Sequence, residues 1–228
     1  MSEAGLRRKR SYNSTRRAEQ AAQTRSAVVS AATELFARSG WAATGMRDIA
    51  AAAGVAVETV YSHFGSKSEL LAAAIDAAVV GDLAEVPLAQ RPEFASLAEG
   101  TPAQRVAAGA FLQTQILLRS AALNLAFRQA AGGDADLERR LAESEERRRE
   151  SVEQALVLIA GRPVSAEERD GLWAVLSVEV WQLLTERSGW TPEEYQAWAG
   201  SITARLLGLD TGAPSPRRRT TRQGGSTS

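Results

Sequence analysis

An all-α fold follows from three features of the sequence. Apolar residues recur at i, i+3, i+4 and i+7 through its successive segments. Alanine, the strongest helix former and small enough to let helices approach closely, is abundant throughout. Helix-start signals stand ahead of several segments: Ser66 with Glu69, Ser165 with Glu168, and Thr191-Pro192 with Glu194 each set a hydroxyl N-cap three residues before an acid.

The 228 residues suffice for one large domain or two small ones, and 44% hydrophobic with 24% charged residues is ordinary for a globular protein. With no cysteine there is no disulfide framework and no sulfur-built zinc site, and a single histidine excludes a histidine-rich metal site. The longest apolar runs are interrupted short of the roughly 20 residues that span a bilayer, and no N-terminal segment resembles a signal peptide. A cytoplasmic protein without a membrane partner is therefore expected. The zero net charge conceals a division: residues 1–25 carry seven Arg/Lys against two Glu, residues 211–228 carry four Arg and no acid, and the stretch between is acidic. The pattern predicts a disordered basic arm over 1–14, a helix-turn-helix domain over 15–75, a larger helical domain over 76–210 and a disordered basic tail over 211–228.

Within the first domain, helix should begin between Thr15 and Thr24, carry Ala27, Val28, Ala31, Ala32, Leu35 and Phe36 on one side, and stop at Ser39-Gly40. Trp41 then packs at the next corner. Met46, Ile49, Ala50 and Ala53 form the apolar stripe of a second, short helix that ends at Gly54, where a tight helix-to-helix turn calls for positive φ. A third helix, about Val57 to His63, turns Val60 and Phe64 inward and Thr59, Tyr61, Ser62 and His63 outward. Ser66 starts a fourth, Lys67 to about Val80. Two short helices about a glycine turn make a helix-turn-helix, whose second helix is sized for the DNA major groove.

The run AATELFARSGWAATGMRDIA, then AGV, TVYSHFGSK and LL in register, resembles the DNA-binding domain of the tetracycline-repressor (TetR) family over about residues 24–75. The resemblance implies double-stranded DNA with a palindromic operator as partner and phosphate or groove contacts from Thr44, Arg47 and Tyr61, while His63 reads as a contact to the DNA backbone over a plain helix-end residue. Lys67, at the positive end of the helix capped by Ser66, suits a phosphate. Ala56, Val57 and Thr59 are the expected base readers, the apolar ones favouring thymine methyl groups. Glu58 either accepts from cytosine or repels phosphate. Gly45, Ala56, Val57 and Glu58 depart from the family's usual residues, which bears on the operator sequence.

Beyond Val80, Pro87, Pro92 and Gly100 interrupt helix for about twenty residues, with Phe94 and Leu97 expected to anchor a helical turn. Thr101-Pro102 opens a helix apolar around much of its circumference, followed by a separate shorter helix over Ala121 to Ala131. Asp134 caps a long one to about Ala160, roughly 39 Å in length, whose run of Arg147, Arg148 and Arg149 among glutamates reads as a solvated face. The last two helices, from Ser165 to about Arg187 and from Thr191 to about Leu207, carry more apolar surface than one subunit needs. Trp173, Trp181, Leu184, Trp198, Ile202 and Leu206 are the expected homodimer interface, as a four-helix bundle with a second copy.

The same resemblance implies a mostly apolar cavity in the second domain, where a small-molecule effector spreads the two DNA-reading heads. Phe111, Gln115, Asn124, Phe127, Trp173 and Glu179, aromatic and polar residues within apolar helices, are its expected lining. No catalytic constellation and no cofactor site is read: Ser62 and His63 are adjacent helical residues about 100° apart, and Gly132-Gly133 is a helix break, not a phosphate loop. The sequence therefore reads as a repressor released by a ligand. Its alternative is a dimeric DNA-binding protein with no effector.

Overall fold

The computed structural model describes residues 3–210 except 83 and 85, and of residues 3–15 and 18 the backbone alone. The basic tail over 211–228 lies outside the described residues. Ten α-helices and no strand are present among those described. Helix α1 (Glu3–Ser39) is followed by α2 (Met46–Ala53), α3 (Val57–Phe64) and α4 (Lys67–Val80). A connection holding the short α5 (Pro92–Ala95) leads to α6 (Pro102–Ala131) and α7 (Ala135–Ala160). Then come α8 (Ala166–Val175), α9 (Val178–Gln182), a π-helical turn over Leu183–Arg187, and α10 (Pro192–Leu206).

Helix α1 starts at Glu3, well before the expected Thr15–Thr24 and through the stretch read as a disordered arm. After Gly5 that stretch has neither glycine nor proline, and a packed helix can propagate through arginine, lysine, glutamate and alanine at little cost per residue.

The first core gathers Val28, Phe36, Ile49, Val60, Leu70 and Leu71 from α1–α4, and Leu123, Phe127 and Leu137 from α6 and α7. The second takes Leu97, Val106, Leu117, Leu156, Leu172 and Tyr195 from the connection and from α6, α7, α8 and α10. Helix α6 thus serves both, and this is why the separate helix expected over 121–131 does not exist: 30 residues run without a break, about 45 Å, from one core into the other. By length and composition α6 would also be able to cross a membrane, but here it is packed against α4, α7 and α10.

The helix expected from Ser165 to Arg187 is likewise not continuous. Its break at Leu176-Ser177 has local and distant causes. The Ser177 hydroxyl caps α9 by accepting from Val180 N–H, and the Leu176 carbonyl takes Gln113 Nε2 at 2.8 Å and Arg148 at 3.0 Å. Arg148 also donates to the Trp173 carbonyl at 2.9 Å. It is therefore a structural clasp and not part of a solvated face.

Candidate nucleic-acid interface and effector cavity

The head is built around Gly54, which ends α2 at φ 68° and lets Val55 N–H donate back to the Ala50 carbonyl at 3.0 Å. Met46, Ile49 and Ala50 lock α2 to the core, and Val60 and Phe64 lock α3. The start of α2 has no side-chain hydroxyl, so the Asp48 carboxylate accepts from Gly45 N–H instead, at 2.9 Å.

What remains outside is one face of α3 and the corner before it. Ala56, Glu58, Tyr61 and Ser62 are exposed, Tyr61 to 51%, and Arg47 on α2 is exposed too. Val57, Thr59 and His63 are half-buried, Val57 packing partly on the head core. Thr44, expected at the DNA surface, is inside: it is 2% exposed, and its hydroxyl donates to the Gly40 carbonyl at 2.8 Å. Its job is to close the turn after α1. Lys67 is also engaged within the chain. Its ammonium donates to the Trp41 carbonyl at 2.5 Å and sits 4.1 Å from the centre of the Trp41 ring, and burial lowers its pKa.

Behind the head, α4 packs on α1 and α6 while α7 packs on α6 and α8. The space between α4 and α7 is a cavity of about 770 Å³, within the range of small-molecule sites. Arg140 on α7 and Glu69 on α4 both line it and pair at 3.0 Å. Arg25 of α1 lines it from above Phe64, 4.8 Å from the ring centre, so the cavity wall adjoins the last turn of α3.

Residues 28–74, which hold α2, α3 and most of this head, match the family of bacterial regulatory proteins known as tetR. The chain carries a TetR-family DNA-binding domain. Over 50 residues it is 50% identical to the HTH-type transcriptional repressor Rv3405c of Mycobacterium tuberculosis and to the HTH-type transcriptional regulator Mb3439c of Mycobacterium bovis. Those matches span 22% of this chain and only 27% of the relatives' length. The fold of the whole chain appears in solved structures. A protein from Rhodococcus sp., described as a TetR-family transcriptional regulator, superposes with a TM-score of 0.64 at 15% identity, over 82% of this chain and 99% of that one. A transcriptional regulator from Rhodococcus sp. RHA1 gives 0.57 at 23% identity, over 82% and 96%.

Of the six residues expected to line the TetR cavity, only Asn124 does so. Phe111 is 53% exposed and Gln115 lies on that same outward face of α6, because the lining face is Leu112, Gln113, Ile116, Ser120 and Asn124. Phe127 is buried in the head core and reaches only the small side recess beside the cavity. Glu179 and Trp173 stand behind the wall: Glu179 pairs with Arg128 at 2.9 Å, Trp173 lies under Arg148, and both arginines line the cavity. The sequence reading missed Asp76, Arg128, Arg147 and Arg148. Asp76 was detectable as the lone acid in the apolar run LLAAAIDAAVV, and Arg128 as the lone charge in AALNLAFRQAA.

Of the residues expected at the dimer surface, Trp181 is 7% exposed and packs edge-on to Tyr195, 4.8 Å between centres, so it is core within one protomer. Leu206 is 39% exposed, and Leu184, Trp173, Trp198 and Ile202 are half-buried. Trp198 packs on Trp190 and Tyr195. Leu183, 54% exposed on the π-helical turn, is a further apolar residue at this end.

Proposed function

We propose that this chain is a cytoplasmic, dimeric repressor that binds a palindromic operator through α3 and leaves it when a small molecule enters the cavity between α4 and α7. On this reading residues 15–75 are the DNA-binding head and 76–210 the effector and dimerisation domain. The observation that carries it is the outer face of α3, where Ala56, Glu58 and Tyr61 are exposed around a helix pinned by Val60 and Phe64, in a head of TetR type. Arg47 and Tyr61 hold phosphates and Ala56, Val57 and Thr59 read bases. The cavity favours effector control over a purely architectural role, since its wall includes α4, which carries the head, and His63 at the end of α3.

Two heads are needed because one helix reads only a few base pairs, so both must be held at about one helical turn, roughly 34 Å. The holding surface is the exposed apolar part of α10 and the π-helical turn. Fluorescence anisotropy on an operator selected from random duplexes tests both parts. Arg47→Ala lowers affinity for all sequences and reduces the slope of log K against log salt by about 0.9, whereas Thr59 substitutions change the selected sequence. Leu206→Glu yields a folded monomer, by ultracentrifugation, that no longer protects the operator. A wild type monomeric at micromolar concentration would overturn the dimeric reading.

A further inference from the structure

The charged groups facing the cavity, with two exceptions, already have a partner within the protein, Arg25 through the Phe64 ring. Arg128 pairs with Glu145 and Glu179, Arg140 with Glu69 and Asp136, and Asp82 with Arg91. Arg148 donates to two carbonyls. The exceptions are Asp76 on α4 and Arg147 on α7. They line the cavity together and share a side recess with Ser144, but among the described residues no hydrogen bond or ion pair joins either of them to another. Asp76 opens to the cavity on one side while protein atoms crowd the other. That crowding raises its pKa, and the Arg147 charge only partly opposes the rise.

Two opposite charges thus line one recess, one on α4 and one on α7, without forming an ion pair. A ligand cation there would suit Asp76 but meet Arg147. A ligand anion would suit Arg147 but meet Asp76. An uncharged dipole satisfies both and brings no net charge into a site whose wall also includes the apolar Leu112, Ile116, Leu117 and Leu156. We propose that the cavity takes an uncharged amide-type ligand, an apolar body bearing one carboxamide, lactam or urea head that donates to Asp76 and accepts from Arg147. This assignment rests on the reading of the cavity as an effector site, and it names what that effector is. It also gives the ligand a grip on both walls, since α4 leads directly to the head.

Calorimetric titration of the full chain with octanamide, octanoate and octylamine isolates the head group, because the three share one tail. Octanamide binds about tenfold tighter than either charged probe, and Asp76→Ala or Arg147→Ala each weakens it about three- to tenfold, the worth of one hydrogen bond. Both side chains are exposed, so the variants fold. The variants also shift selectivity in opposite senses: Asp76→Ala gains octanoate relative to octylamine, and Arg147→Ala gains octylamine relative to octanoate, which a general loosening of the cavity would not do. Tighter binding of either charged probe, or an unchanged head-group preference in both variants, overturns the amide assignment and leaves the cavity reading standing. If none of the three binds, and apolar compounds generally fail to raise the melting temperature, the effector reading falls and takes the assignment with it.

Discussion

The head and the body of this protein are both all-helical and alanine-rich, yet they differ in what fixes the ends of their helices. In the head each boundary is local. Gly40, Gly54, Gly65 and Gly81 follow α1 to α4 at positive φ, and the Ser66 hydroxyl caps α4 by accepting from Glu69 N–H. In the body the caps are as strong, with Thr101, Asp134, Ser165 and Thr191 all accepting from backbone amides of their helices. What differs there is continuity, which is decided by residues far away in sequence. Gln113 and Arg148 reach the joint between α8 and α9 from 63 and 28 residues away. Helix α6, in turn, runs unbroken because its two halves are buried in different cores.

The sharpest way to break this distinction is Phe127. It lies on a body helix but is 4% exposed within the head core. Phe127→Ala should cost about 3–5 kcal/mol by chemical denaturation, the usual cost of removing a buried phenyl ring. The loss should appear in the head, as faster amide exchange in α1 and α4 and weakened operator binding. If exchange instead accelerates only in α7–α10, the two cores are more separate than the packing of α6 implies.

Most helix starts were legible in the sequence because their causes are local, period, glycine and N-cap all sitting within four residues of the boundary, whereas the early start of α1 and the Ser177 start of α9 were not. α2 and α4 run as the pattern predicts, and α3 extends one residue further, to Phe64. The cavity was less legible for a physical reason. Polarity in an apolar helix marks an unusual position but does not say which face of the helix it is on, so Phe111 and Gln115 were assigned to a wall they turn away from. The cavity between α4 and α7 depends on how both pack on α6, and no residue in either one records that. Thr44 and Lys67 illustrate the same limit in the head. Both were read as DNA contacts, but their partners here, the Gly40 and Trp41 carbonyls, come from the fold.

Arg148 sharpens the comparison with a smaller effect. Its guanidinium ties α7 to the α8–α9 joint through the Trp173 and Leu176 carbonyls, and burial pulls its pKa down despite the nearby Glu145 and Glu179. Arg148→Met keeps the apolar stem and removes both donations, for a loss of about 1–3 kcal/mol. Arg139, paired only with exposed Asp136 and Glu143 on its own helix, is the control. Equal melting temperatures for Arg148→Met and Arg139→Met would show that the joint does not depend on the distant clasp.

The smallest effect belongs to the connection between the two regions, where Arg91 folds back on Asp82 through two bonds of 2.6 and 2.8 Å and also donates to the Val86 carbonyl at 3.0 Å. The Arg91 guanidinium, with Ala84 N–H, holds the Asp82 carboxyl down to about 2. An unfolded aspartate titrates near about 3.9, so folding favours the ionised form. The contribution is fully present above that value, shrinks as pH falls below it, and is lost as pH falls through about 2. The group is exposed, so the effect is modest and weakened by salt. Melting temperatures of wild type and Asp82→Asn, measured across pH, should therefore differ at neutral pH and at pH 5, and converge as pH falls below about 4 toward 2. A difference that persists unchanged at the acid end would mean that the connection is held by Phe94 and Leu97 packing beneath it, with the Arg91 staple only following the backbone they set.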